Sequence, residues 1–215
     1  MTTSFFDILA LSGSLRARSS DTAMLEAAAL LAPAGARISL YRNLSDIPPF
    51  NPDREADLYD LAAGYPRYRA DLTDGGLAAV KALGERVRAA DGLLIACPEY
   101  ARGVPGAFKN ALDWLVGGDA FVSKPFALFN ASPRATHAQQ SLRLTLQTMS
   151  GQLVEGACLA LPLSGSGRDA ARIAADESFA HPIREALSIF VAALASSPGR
   201  RFETMGEHHP DGSGP

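Results

Sequence analysis

The sequence predicts an α/β protein built in three layers, a five-stranded parallel sheet with helices on both faces. Three observations carry this expectation. Short apolar runs alternate with segments of helical spacing along the chain, the pattern of parallel strands joined by crossover helices. The runs are apolar almost without interruption, as in Gly92-Leu-Leu-Ile-Ala-Cys97, which suits a sheet covered on both sides. The chain has 215 residues, 47% of them hydrophobic, enough to fill one large core.

Taken in order, Phe5–Leu11 reads as a buried strand and Asp21–Ala32 as a helix rich in Ala and Leu, ended by Pro33 and Gly35. Ile38–Tyr41 is a short second strand. An irregular stretch follows from Arg42 to Gly76, with Pro48, Pro49, Pro52, Pro66 and several tyrosines. Leu77–Ala90 returns to helical spacing, with Leu77, Val80, Leu83 or Gly84, and Val87 on one face. Gly92–Cys97 is the third strand, Val104–Val116 a helix, Pro125–Ala131 the fourth strand and Ala135–Gly151 a helix. Leu153–Leu163 contains a fifth strand, and Asp169–Ala195 is mostly helical. Residues 1–205 form one domain on this reading. Gly206–Pro215 is a polar tail, expected to be disordered.

Composition excludes several classes of function. The net charge is −3 and no cluster of Lys and Arg overrides it, so nucleic acid is not an expected partner. No apolar run is long enough to span a bilayer. Phe5–Leu11 is interrupted by Asp7 and lacks a preceding basic segment, so it does not read as a leader. A cytoplasmic protein without membrane partners is expected. Cys97 and Cys158 are far apart and in no CxxC pair, which argues for two buried, reduced thiols rather than a disulfide framework or zinc site. No paired carboxylates, nucleophile elbow or metal spacing appears, so neither a catalytic side chain nor a metal site is expected.

Chemistry is expected in the loops that follow the strands, because ligands of such sheets bind beyond the strands' carboxyl ends. After the first strand stands Ser12-Gly-Ser-Leu-Arg-Ala-Arg-Ser-Ser-Asp-Thr22. Gly13 permits a tight turn, and Ser14, Ser19, Ser20 and Thr22 offer hydroxyls. Arg16 adds a charged fork, and the helix start adds free N–H groups and a positive dipole end. Such a loop suits a phosphate, although an ordinary serine cap would look similar. It is neither a P-loop nor a GxGxxG turn.

After the third strand stands Pro98-Glu-Tyr-Ala-Arg-Gly-Val-Pro-Gly-Ala-Phe-Lys-Asn-Ala-Leu-Asp-Trp114. With GSLRxxS at Gly13–Ser19, PEY followed by PGxxKNAxDW at Pro98–Trp114, and Lys124–Ser132 after the fourth strand, the sequence resembles the NADPH-dependent FMN reductase family of the flavodoxin-like superfamily. The resemblance implies strand order 2-1-3-4-5. It implies that Ser14, Arg16, Ser19 and Ser20 hold an FMN phosphate, with Asp21 beside them. It places Pro98, Glu99, Tyr100, Ala101, Arg102 and Gly103 along the isoalloxazine, with Asn130 and Ser132 closing the other side. Gly103 and Gly106 would let the backbone approach the ring. The implied activity is transfer of a hydride from NADPH or NADH, through bound FMN, to a small-molecule electron acceptor: free flavin, a quinone, an azo compound or a metal oxyanion. A flavodoxin-like electron carrier and a non-catalytic FMN-binding redox sensor are the alternatives. The carrier would be expected to show a strongly acidic docking face, which −3 does not supply.

Two departures from the family pattern stand out. Position 21 is Asp where Asn is usual. A carboxylate beside a phosphate dianion is repulsive, by about 1 kcal/mol when exposed, so Asp21 is expected to cap the helix and point away. Ala101 and Arg102 follow PEY where Asn often does. Arg102 either faces the nicotinamide nucleotide's phosphates or stands in solvent. Asp113 and Trp114 read as packing or subunit-contact residues, and His137 as a residue at the head of a helix near the fourth loop. Gly165-Ser-Gly-Arg-Asp-Ala170 matches GxGxxA but comes too late in the chain for a nucleotide-binding half. The resemblance also implies a homodimer or homotetramer. Phe50, Tyr59, Tyr65 and Tyr68 in the long connection either line that interface or pack on their own domain.

Overall fold

The computed structural model describes residues 5–60, 67–69, 72 and 74–196. Tyr65, His208, His209 and the polar tail lie outside the described residues. In chain order the strands are β1 (Phe6–Ser12), β2 (Ala36–Tyr41), β3 (Tyr59–Asp60), β4 (Arg67–Tyr68), β5 (Gly92–Ala96), β6 (Pro125–Asn130), β7 (Gln152–Leu153) and β8 (Leu159–Ala160). The helices are α1 (Ser20–Leu30), α2 (Glu55–Leu58), α3 (Gly75–Ala89), α4 (Gly106–Val116), α5 (Thr136–Thr148), α6 (Ala170–Ala175) and α7 (Glu177–Ser196).

The main sheet runs β2-β1-β5-β6-β7, with β8 also on β6, and every pairing is parallel. That is the expected 2-1-3-4-5 order with the fifth strand split. Phe126 pairs with Leu153 and Phe129 with Leu159. The partner chain therefore has more residues than β6 can pair, and the excess coils into a 3-10 turn at Glu155–Ala157. Inside the gap the Leu128 N–H donates to Cys158 Sγ at 3.4 Å, and Arg143 of α5 forms a two-pronged ion pair with Glu155.

The sheet is buried on both faces, and the strand period of two sorts its side chains. Phe6, Ile8 and Ala10 of β1 join Leu94, Ala96, Ala127 and Phe129 against α1, α6 and α7. Leu9, Leu11, Leu93, Ile95, Phe126 and Leu128 face the opposite way, against α3, α4 and α5. Helix α1 meets the sheet through Met24 and through Ala23, Ala27 and Ala28, and the small alanine side chains allow close approach. The mostly helical stretch expected over Asp169–Ala195 is two helices, α6 and α7, because the chain turns at Asp176: its carboxylate accepts from the N–H and hydroxyl of Ser178 at 3.1 and 2.6 Å.

The long connection after β2 is less irregular than expected. It contains two 3-10 turns, α2 and the antiparallel pair β3–β4, in which Tyr59 faces Tyr68. Its aromatics turn inward. Phe50 meets Trp114 edge to face at 5.1 Å, Tyr59 stacks on Tyr68 at 5.1 Å, and all four belong to the core or pack against it. Tyr68 needs a side-chain-free position on α3, since a Cβ on Gly84 would lie 1.7 Å from its hydroxyl. Phe50, Tyr59 and Tyr68 therefore pack on their own domain.

What fastens this connection is one carbonyl. Pro48 O accepts from Asn110 Nδ2 and Trp114 Nε1, each at 2.8 Å, while Asn110 Oδ1 accepts from the Phe50 N–H at 2.7 Å. Residues one turn apart on α4 can share this target because i and i+4 lie on one face of a helix. The Asn and Trp of the KNAxDW motif are thus packing residues. Asn110→Ala should lower stability by roughly 1–3 kcal/mol, since the Phe50 N–H loses its acceptor in a partly buried setting. Urea unfolding at constant m checks it.

Candidate functional site

β1 and β5 are neighbours, yet β1 leads toward β2 on one side and β5 toward β6 on the other. Their following loops diverge and leave a crevice at the carboxyl ends, as such switch points do. Gly13 marks the point of divergence. Its N–H donates to Ala96 O at 2.8 Å, and a Cβ there would stand 3.0 Å from Cys97 Sγ and 3.3 Å from Cys97 Cα. The glycine suits this close approach, since a side chain there would make Cys97 give by a few tenths of an ångström; its φ is not positive.

A cleft of about 360 Å3 opens there, lined by Ser14, Arg16, Ser19, Ser20, Asp21, Pro98, Glu99, Tyr100 and Ser132, together with Asn130, Ala131, Arg134, Ala135, Ser164 and Gly165. Ala101, Arg102 and Gly103 do not line it. They belong to a tight turn closed by Tyr100 and Gly103, which exchange N–H···O bonds of 3.1 and 2.9 Å. Ala101 and Arg102 have φ of 50° and 60°, the left-handed values a type I′ turn demands at both central positions. Asn tolerates that region far better than Ala, so the family's usual Asn after PEY suits the turn itself. Gly103 and Gly106 meet no close backbone: a Cβ on Gly103 would lie 3.7 Å from Tyr100 O, and one on Gly106 would have nothing within 4 Å.

The hydroxyls of the first loop divide into two kinds. A hydroxyl has one proton and two lone pairs. Ser19 is the N-cap of α1 and accepts from the Thr22 N–H at 3.3 Å. Ser14 accepts from the Arg16 N–H at 3.3 Å. Both keep their protons for an anion. Ser20 instead donates to Leu163 O at 3.2 Å, and Thr22 is bound to Ser12 at 2.7 Å. The first N–H groups of α1 have no acceptor within the helix. Arg16 and Arg134, on the cleft wall, pair with no acidic side chain among the described residues.

Asp21 does not cap α1, because Ser19 does. It sits in the first turn, only 7% exposed, and lines the cleft. Burial pushes its pKa up, against the N–H groups of Ala131 and of Asp21 itself, which pull it down. Burial, with the charge of Asp21 adding to it, pushes the Cys97 thiol up to about 12, so that sulfur is an inert packing group.

Glu99 is engaged elsewhere. Its Oε2 accepts from the Ala138 N–H at 2.9 Å, in the first turn of α5, whose own N-cap Ala135 has no side-chain bond to give. A carboxylate at a helix start also satisfies the dipole. In the next loop Asn130 Oδ1 accepts from the Ser132 N–H at 2.9 Å. The loop after β8 closes the far wall: the N–H groups of Leu163 and Ser164 both reach Ala131 O, at 3.0 and 2.8 Å. Arg134, Ser164 and Gly165 were not among the residues expected in the cleft. The usable signal was the Gly165–Gly167 pair after a strand, which has positive φ at both glycines. Among the described residues no group of three His, Cys, Asp or Glu could hold a metal. No helix there is long and apolar enough to cross a membrane.

The donor set fits a phosphate monoester at the head of α1, with Pro98 and Tyr100 left to face a flat ring. The model of the NADPH-dependent FMN reductase family matches residues 6–165, a span that contains every loop of the cleft. The chain belongs to that family. It is 38% identical over 144 residues to the NAD(P)H-dependent FMN reductase of Pseudomonas aeruginosa, covering 65% of this chain and 68% of that protein. It is 34% identical over 108 residues to the quinone reductase of Escherichia coli, covering 50% of this chain and 49% of that enzyme, about half its length. Among solved structures, the flavoenzyme NAD(P)H:(acceptor) oxidoreductase FerB of Paracoccus denitrificans shares the fold, with a TM-score of 0.65 and 24% identity over 88% of this chain and 97% of that one.

The assignment of Glu99 to α5 makes a separable prediction. Glu99→Ala should lower the stability of the cofactor-free protein by about 1 kcal/mol, the usual cost of losing a cap. Glu99→Gln, which keeps an acceptor oxygen, should cost less than half of that. Urea titrations of both variants measure the difference, and equal losses would reject the capping role.

Proposed function

We propose that this protein binds FMN in the cleft and passes a hydride from NADPH or NADH to a small acceptor such as a quinone, an azo compound, a metal oxyanion or free flavin. The observation that carries the reading is the convergence, at the β1–β5 switch point, of a hydroxyl- and arginine-bearing helix start with the Pro98–Tyr100 wall. Bound FMN supplies the two-electron chemistry. The residues supply binding, orientation and exclusion of water. Ser14 and Ser19 donate their free hydroxyl protons to the phosphate and Arg16 neutralises it. Pro98 and Tyr100 support the ring, and Ser132 closes its far side. Arg134 is a second cation facing the cleft, placed to meet the phosphates of a nicotinamide nucleotide. Glu99 is held by α5, so no protein acid or base takes part, and protons exchange with solvent.

If this is right, cofactor released by heat should chromatograph as FMN, and recovery of FAD alone would reject the reading. Arg16→Ala should weaken FMN binding roughly ten- to hundredfold, the loss of a charged hydrogen bond of about 1.5–3 kcal/mol. Arg18→Ala, outside the cleft, should stay near the parent. Titration by flavin fluorescence gives both dissociation constants, and equal values would sink the phosphate assignment.

The reading includes a homodimer or homotetramer working in the cytoplasm. Tyr100 on the cleft wall is 53% exposed and Leu15 of the first loop 56% exposed, and a partner subunit would cover both. Light scattering at micromolar protein should report at least a dimer mass. A monomer mass with and without FMN would overturn this part.

A further inference from the structure

Asp21 is an acid in a place built for an anion. Its residue is 7% exposed, yet it reaches the wall of the cleft beside Ser14, Arg16 and Ser19. A phosphate seated on the first turn of α1 would meet this carboxylate within the same water-poor corner. Near neutral pH a phosphate monoester is mostly a dianion, with a second pKa of about 6. Dianion and carboxylate together would put three negative charges against the Arg16 guanidinium and a helix start.

We propose that Asp21 shares one proton with the phosphate monoester of the cofactor, so that FMN binds with proton uptake and is held less tightly as pH rises. The proposal rests on the FMN reading above. One retained proton converts the repulsion into a short, charge-assisted O–H···O bond, and the two acids then titrate as a pair. The N–H groups of Ala131 and of Asp21 itself favour the charged carboxylate, but burial outweighs them. Cys97 lies beneath Asp21 as a neutral thiol, and Glu99 is bound to the Ala138 N–H. Arg16 and Arg134 stand on the cleft wall. Helix α6, packed along α1, carries Asp169, whose carboxylate accepts from the Arg172 N–H; α7, also against α1, carries the Glu177–Arg184 pair and His181. Burial is the largest influence on Asp21, and it favours the protonated form.

The sign follows from linkage. Where either free partner already carries the proton, binding needs no uptake and the dissociation constant is level. At higher pH the complex holds one proton more than its separated partners, and the constant climbs toward roughly tenfold per pH unit. A site with Asn at position 21 behaves oppositely. With only Arg16 and the helix dipole facing the phosphate, it prefers the dianion, so its affinity holds or tightens as pH rises through about 6.

The test is a fluorescence titration of cofactor-free protein with FMN between pH 5.5 and 9, paired with calorimetry in buffers of different ionisation heat. The parent should weaken by about tenfold or more between pH 7 and 9 and take up about one proton per FMN. Asp21→Asn should take up none and should not weaken. Riboflavin, which lacks the phosphate, should show no proton uptake with the parent, a comparison that needs no variant to fold. Parallel pH curves for parent and variant, or equal proton counts for FMN and riboflavin, would overturn the proposal while leaving FMN binding intact. Failure of both proteins to bind FMN at any pH would overturn the functional reading, and this proposal with it.

Discussion

Between the last residues of β1 and β5 there is room for backbone and little else. Gly13 reaches across to Ala96 and lies so close to Cys97 that a Cβ would stand 3.0 Å from its sulfur. This crossing sets where the first loop begins and where the PEY loop leaves the sheet. The hydroxyls at the head of α1 and the wall at Pro98–Tyr100 can converge because their strands are locked together one residue earlier. A side chain at position 13 would press on Cys97, where the second of these loops leaves the sheet.

The remaining walls are assembled by chain segments distant in sequence, joined through single groups. Leu163 O holds the Ser20 hydroxyl while the neighbouring N–H groups hold Ala131 O, so the loop after β8 ties the first and third loops together. Glu99 does the same for the PEY loop and α5. On the other face, Pro48 O gathers Asn110 and Trp114 and keeps the long connection on α4. Each is a polar group satisfied across the structure, and burial is what makes leaving it unsatisfied costly.

Much of the fold was legible in the sequence because a sheet buried on both faces writes itself as uninterrupted apolar runs. β1, β2, β5 and β6 were found where those runs are. The fifth strand was legible only as a region, because its split depends on a mismatch in length with β6 that no local pattern shows. β3 and β4 were missed since two residues each give no periodicity. That Ser14, Arg16, Ser19 and Ser20 gather on one wall of the cleft was legible from residue type and position before a helix. The capping role expected of Asp21 falls to Ser19, and the bond of Glu99 to the Ala138 N–H was not legible, because a carboxylate's role depends on which N–H group lies opposite, and here those groups come from distant loops. The left-handed turn at Ala101 and Arg102, closed by Tyr100 and Gly103, was not legible, because neither residue type favours that conformation.

The split in the fifth strand bears on how the protein behaves in a crowd of its own kind. A sheet's outermost strand is a template for any extended chain that can align with it, and long, flat edges invite edge-to-edge association. Here that border consists of two two-residue pieces separated by a helical turn. Arg143 and Glu155 are paired across the turn, and a thiol stands in for one rung of the ladder. An incoming strand would find no run of free carbonyls and amides in register. The interruption that hid this strand from sequence patterns also blunts the border against aggregation.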